Sequence, residues 1–130
     1  MKLVAAAIAI NEGRVLVTRR APGQSLEGYW EFPGGKLELM ESPQQCIERE
    51  LYEELGVAAS AGEVITESIY EYPGGAIKLI AIEATLHGHD LQLTVHDAFE
   101  WILPELLLNL NLAPADIAIA EELIRRVGQS

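Results

Sequence analysis

The sequence predicts a mixed α/β layered domain, and three observations carry that expectation. Strand-like apolar segments are interspersed with two helical ones. The first helical segment is bounded by strong start and stop signals. The chain has 130 residues, 49% hydrophobic and 22% charged, so it is long enough to bury a core and has the balance of a soluble globular protein. There is no Ser/Gly tract, low-complexity segment or internal repeat, and a single domain over residues 1–130 is expected.

Leu3 to Ile10 reads as a buried strand, Asn11-Glu12-Gly13 as a turn, and Arg14 to Arg20 as the returning strand. Ala21 to Tyr29 is a polar, glycine-containing loop. Trp30 to Phe32 is a short apolar segment, and Pro33-Gly34-Gly35 then interrupts regular structure. For the first helix Ser42 is the N-cap, Pro43 occupies the first helical position, and Gln45 completes a capping box. Gly56 supplies the left-handed stop after Leu55, and Ile47, Leu51 and Leu55 form the buried stripe. Glu63 to Tyr72 and Ala76 to Leu86 read as β segments joined across Pro73-Gly74-Gly75. A third β segment is expected near Leu91 to Val95 and another around Phe99 to Ile102. Pro114 to Val127 reads as the last helix, with Ile117, Ala120, Leu123, Ile124 and Val127 facing in.

Charge narrows the function. Twenty acidic residues against nine basic ones give −11, which repels nucleic acid, and a 6% aromatic share argues against base-stacking platforms. No run approaches the ~18 to 20 apolar residues of a membrane span. Met1-Lys2 followed by apolar residues with Ala7-Ile8-Ala9 mimics a secretory signal, but the run is short and feeds a hairpin. The single cysteine, Cys46, cannot form an internal disulfide, which favours a reducing compartment, the cytoplasm by default.

Glu50, Glu53 and Glu54 carry the chemistry. Taking Glu50 as zero, Glu53 falls at roughly −60° and Glu54 at roughly +40° on a helix, so all three share one face beside the apolar stripe. Such a run is either a solvated acidic face or a cation site. Carboxylates crowded against a core boundary have raised pKa values unless a cation joins them, and hard oxygens suit Mg²⁺ or Mn²⁺.

The spacing weighs toward the cation site. From Gly35 the chain reads Gly, five residues, Glu41, seven residues, Arg49-Glu50-Leu51, Tyr52, Glu53-Glu54, Leu55, Gly56-Val57. Residues 35–57 thus match every fixed position of the Nudix box, with chance agreement on the order of 10⁻⁹ per start site. The chain resembles the Nudix hydrolases. Thr18-Arg19-Arg20, Trp30-Glu31-Phe32-Pro33-Gly34-Gly35-Lys36 and Leu112-Ala113-Pro114-Ala115-Asp116-Ile117 resemble the MutT and CTP pyrophosphohydrolase branch.

The resemblance implies the Nudix fold, an α/β/α sandwich with a mixed sheet. It also implies Mg²⁺-dependent hydrolysis of a nucleoside diphosphate linked to a moiety X. In this branch X is phosphate, so a natural or oxidised (deoxy)nucleoside triphosphate yields the monophosphate and pyrophosphate. By the same resemblance the metal ligands are the Gly34 carbonyl, Glu50, Glu53 and Glu54. Glu50 is the expected base, Glu53 a further catalytic carboxylate, and Arg49 orients them, the alternative for Arg49 being a surface ion pair. Arg20 matches the family position expected to meet nucleotide phosphate or base, and Lys36, beside the metal loop, is expected to touch phosphate as a point charge. Phe32 is either a pocket wall or core.

Asp116 stands where the MutT pattern has Asn. Ionised, it only accepts, which suits an exocyclic amino group; buried and protonated, it donates to an oxidised guanine; otherwise it merely caps the last helix. One position departs from the family pattern: Val95 precedes His96 where many relatives carry a metal-binding Glu, with Asp97 or Glu100 as substitutes. His87-Gly88-His89-Asp90 reads as a solvated turn.

The competing activities are hydrolysis of a nucleotide sugar, ADP-ribose or a dinucleoside polyphosphate; RNA 5′-end hydrolysis is disfavoured by charge. A non-catalytic nucleotide-sensing module is disfavoured because Glu41, Glu50, Glu53 and Glu54 are all present. The expected partner is a nucleotide, not nucleic acid or membrane, with monomer and homodimer both open. Between Glu31 and Glu54 seven acids face only Lys36 and Arg49, so the acidity concentrates at the expected site.

Overall fold

A computed structural model describes residues 1–129. Strand β1 (Lys2–Asn11) runs through the centre of a seven-stranded mixed sheet. On one side it pairs in parallel with β6 (Gly75–Leu86), from Lys2 opposite Ile77 to Ala9 opposite Ala84. On the other it meets β2 (Arg14–Arg20) only at Ile10 and Asn11, beside the Glu12-Gly13 turn. Beyond that hairpin β1 and β2 diverge. The opening is filled by β3 (Trp30–Glu31), paired with β2, and β4 (Gly34–Lys36), paired with Val4–Ala6 of β1. The outer strands are β5 (Ala59–Tyr72), antiparallel to β6, and β7 (His96–Ile102), antiparallel to β2.

Alternation along β1 creates two cores. Ala5, Ala7 and Ala9 join Leu16, Ile80 and Ile82 under helix α1 (Pro43–Leu55), packed on Cys46, Ile47, Leu51 and Leu55. Ala6 and Ile8 join Val15, Val17, Phe32 and Leu79 under helix α2 (Ile117–Val127), packed on Ile119, Ala120 and Leu123. Two layers of helix therefore enclose the mixed sheet, as expected. The small side chains of β1 let α1 lie close to the strand that borders the site.

Helix α1 follows its sequence signals. Ser42 Oγ accepts from the Gln45 amide, the Gln45 side chain returns to the Ser42 amide, Pro43 begins the helix, and Gly56 closes it at φ 64°. The Pro73-Gly74 turn and the hairpin arms also fall where expected, although β5 begins earlier, at Ala59, and carries two irregularities near Val64. Leu3 and Ile10, read as buried, are 43% and 54% exposed, because only the middle of β1 is covered by both helices.

Two expectations are corrected. Leu91 to Val95 is irregular, not a strand. Leu91 and Leu93 do point into the α1 core, but Gln92 N–H donates to Leu55 O and Thr94 N–H to Glu54 O. The segment caps the C-terminus of α1 with bonds that a strand would have given to a neighbour. The second correction concerns the last helix. Pro114–Asp116 is a 3₁₀ turn preceding α2, and the buried side chains are Ile119, Ala120 and Leu123, whereas Ile117 and Val127 are 40% and 38% exposed. The helix is apolar in both phases, and the phase chosen is the one that also buries Asp116. Among the described residues no helix is long and apolar enough to cross a membrane.

Candidate active site

The divergence of β1 from β2 leaves a cleft of about 460 Å³, lined in part by Ala5, Arg20, Leu26, Glu31, Phe32, Gly34, Gly35, Lys36, Glu50, Glu54 and Asp116. Most of the residues singled out from the sequence therefore share one cleft. Phe32 serves both roles considered for it, since it lines the cleft and belongs to the α2 core. Glu53 and Arg49 do not line the cleft. Glu53 is 55% exposed, and the two lie beside Glu50 on the same helix.

Gly34 and Gly35 are required by close approach. A side chain at Gly34 would overlap the Ala5 carbonyl, and at Gly35 its first carbon would lie 2.6 Å from the Glu50 carboxyl. The glycines thus seat the irregular strand β4 between β1 and the carboxylates of α1.

Arg49 is no simple surface ion pair. Its Nε and Nη2 hold Glu41 at 2.7 and 2.9 Å, and Nη1 reaches Glu50 at 2.9 Å and Glu53 at 3.4 Å. Nη2 also donates to the Lys36 carbonyl at 3.2 Å. This fork ties the loop before α1 to the acidic face of the helix. It holds the Glu41 carboxyl down at about 2. Burial pushes Glu50 above the usual carboxylate range, with Arg49 opposing.

Glu54 is the unusual acid. Its Oε1 is buried and has no hydrogen-bond partner. Burial, followed by the Glu50 and Glu31 carboxylates, pushes its pKa up to about 8. A half-buried cluster of hard oxygens with an unpartnered atom suits a hard divalent cation. Glu50 and Glu54, with Gly34 beside them, are the residues of the cleft that fit such an ion. Among the described residues no three His, Cys, Asp or Glu side chains are already gathered around a common centre, since Arg49 engages Glu50 and Glu53.

Asp116 lies in a different environment. It is 6% exposed, and its Oδ2 accepts from the Phe32 amide at 3.1 Å. Burial and the nearby Glu31 carboxylate push it up to about 8. Its side chain makes no cap for α2. Arg20 borders the cleft, with Nε donating to Ser25 O at 3.1 Å and Nη1 3.5 Å from Glu31 Oε2. Lys36 is exposed beside Gly35.

Asp97 and Glu100 do not replace the carboxylate missing at Val95. Asp97 pairs with Arg19 at 2.8 Å, and neither residue lines the cleft. Sequence reasoning gave no role to Glu31 or His96. Glu31 lines the cleft, and the His96 ring, its side chain fully buried, lies with Nε2 2.8 Å from Glu31 Oε2. His87 contacts Ser60, and the His87–Asp90 tract is exposed and does not line the cleft, as expected of a surface turn.

Residues 1–123 match the family described as NUDIX domain. A CTP pyrophosphohydrolase of Escherichia coli is 41% identical over 118 residues, spanning 91% of this chain and 87% of the relative. An 8-oxo-dGTP diphosphatase of Haemophilus influenzae is 44% identical over 71 residues, 54% of this chain and 52% of the relative. The solution structure of the E. coli ORF135 protein superposes with a TM-score of 0.86 at 40% identity, covering 96% of this chain and 89% of that one.

Proposed function

The chain belongs to the Nudix family of hydrolases, and from that premise we propose that it cleaves (deoxy)nucleoside 5′-triphosphates, natural or oxidised, to the monophosphate and pyrophosphate in a Mg²⁺-dependent reaction. The names borne by the relatives, CTP pyrophosphohydrolase and 8-oxo-dGTP diphosphatase, support this substrate class. The observation that carries the reading is the buried, unpartnered Glu54 oxygen beside Glu50, at one end of a cleft that has Asp116 on its wall. One Nudix domain accounts for residues 1–130. The lone buried Cys46 supports placement in the cytoplasm.

Bound Mg²⁺ would neutralise phosphate charge and acidify a water, with Glu50, Glu53, Glu54 and the Gly34 carbonyl as its holders. The chain's own groups do the rest. Glu50 is the acceptor of the proton from the attacking water. Arg49 keeps Glu50 and Glu53 in register with the loop. Among the described residues of the cleft, Lys36 is the cation free to meet the phosphate chain, because Arg20 engages Ser25 and Glu31. Asp116, protonated below about 8, has Oδ2 taken by the Phe32 amide and presents its proton on Oδ1 to an acceptor on the base.

The test is pyrophosphate release across natural and oxidised nucleoside triphosphates, nucleotide sugars and ADP-ribose, with and without Mg²⁺. Mg²⁺-dependent release from a triphosphate is expected. No turnover of any triphosphate, with turnover of a nucleotide sugar, overturns the substrate assignment.

A further inference from the structure

His96 occupies a place that neither the metal cluster nor the phosphate contacts explain. Its side chain is fully buried, an uncommon position for an imidazole without a task. Only one ring nitrogen is used: Nε2 lies 2.8 Å from Glu31 Oε2, while Nδ1 is buried without a partner. A proton on Nδ1 would be a buried donor with nothing to accept it. The contact with a carboxylate therefore fixes the tautomer, Nε2–H donating to Glu31.

The backbone shows how His96 reaches this position. Strand β7 pairs with β2 in register from Val15–Ile102 to Arg19–Ala98, and then Arg20 pairs with His96, leaving Asp97 as an extra residue. Such a bulge reverses which face the following side chains occupy. Without it Arg20 would lie opposite Asp97 and His96 would fall on the other face. With it, His96 joins Thr18, Arg20 and Glu31 on the face toward α1. Thr18 Oγ1 donates to the Glu31 carbonyl at 3.4 Å, and Arg20 approaches the Glu31 carboxylate at 3.5 Å. Asp97, expelled to the opposite face, pairs with Arg19.

We propose that His96 is a positioning residue: from behind the cleft wall it fixes the Glu31 carboxylate in the orientation that faces the ligand. Glu31 is bounded by Arg20 and lies within electrostatic reach of both Glu54 and Asp116. A carboxylate free to turn there would alter the cleft at both ends. His96 touches no ligand and acts only through Glu31. The proposal rests on the hydrolase reading for what the cleft binds, but the His96–Glu31 contact can be tested without any substrate.

The first arm is the imidazole ¹⁵N spectrum of the ligand-free protein. A single Nε2–H tautomer for His96 is expected, and its signal should move in Glu31→Gln; an Nδ1–H tautomer, or a signal indifferent to Glu31→Gln, overturns the proposal. The second arm is steady-state kinetics on the substrate that the panel selects. His96→Leu should raise KM about tenfold with kcat within about threefold, and His96→Gln, which restores a donor near Nε2, should bring KM back within about threefold. Adding His96→Leu to Glu31→Gln should change KM no further. Additive KM effects, or a His96→Leu KM within about twofold of wild type, also overturn it. Absence of any nucleotide turnover refutes the hydrolase reading, while the spectrum still decides the contact. Should His96→Leu fail to fold, the spectrum with and without Glu31→Gln carries the test.

Discussion

Asp116 shows how environment assigns chemistry to a residue type. An exposed Asp is ionised at neutral pH and only accepts; here burial and the Glu31 carboxylate lift the pKa to about 8. Because the folded value exceeds the unfolded one, the unfolded chain releases this proton first. The contribution of Asp116 to stability should therefore fall as pH rises from about 4 to about 8, by at most about 1.4 kcal/mol per pH unit, and level off above. Asp116→Asn should flatten that slope in metal-free thermal melts, leaving the share due to Glu54. With saturating Mg²⁺, wild-type turnover should decline as pH rises through about 8, because the donor is lost, while Asp116→Asn shows no decline in that window. Equal pH profiles would remove Asp116 from base recognition. The sequence marked the residue because it stands where the MutT pattern has Asn. It did not distinguish donor from acceptor, because desolvation is a property of the fold.

At the scale of the element, α1 was readable because its signals are local: cap, first-turn proline, stripe and stop all lie within residues 42–56. Leu91 to Val95 was misread for the opposite reason. Its alternating leucines satisfy a strand pattern, and only the chain's return to the end of α1 reveals where its hydrogen bonds go. The role of His96 was hidden by a one-residue bulge, which inverts facing without leaving a mark in composition. Strand β4 supplies a prediction at this scale. Gly35→Ala places a methyl 2.6 Å from the Glu50 carboxyl, so Glu50 must turn while the β1–β4 pairing persists. We expect turnover to drop by about 10²-fold or more with a melting temperature within a few degrees of wild type. Near-normal turnover would show that Glu50 needs no fixed rotamer.

For the molecule as a whole, −5 of the net charge of −11 falls between Glu31 and Glu54, and the half-buried acids there are held by Arg49 and by protonation. Mg²⁺ should therefore raise the melting temperature, as any ligand of the native state does. A proton competes for Glu54, so the increment should be larger at pH 8.5 than at pH 6.5, and Glu54→Gln should reduce it at both. An increment that does not vary with pH would place the ion elsewhere. The layered architecture was legible from alternating segments, whereas the divergence of β1 from β2 was not: β1 and β2 look like an ordinary hairpin until β3 and β4 enter the gap. The alternation of β1 has one more consequence. Ala5, Ala7 and Ala9 face one core while Ala6 and Ile8 face the other, so the strand is read in two frames at once. A substitution there disturbs one frame, but a single inserted residue exchanges them. Isoleucine would then lie beneath α1 in place of an alanine, pressing on the helix and the glutamates it carries. Length, more than identity, is what this segment conserves for its neighbours.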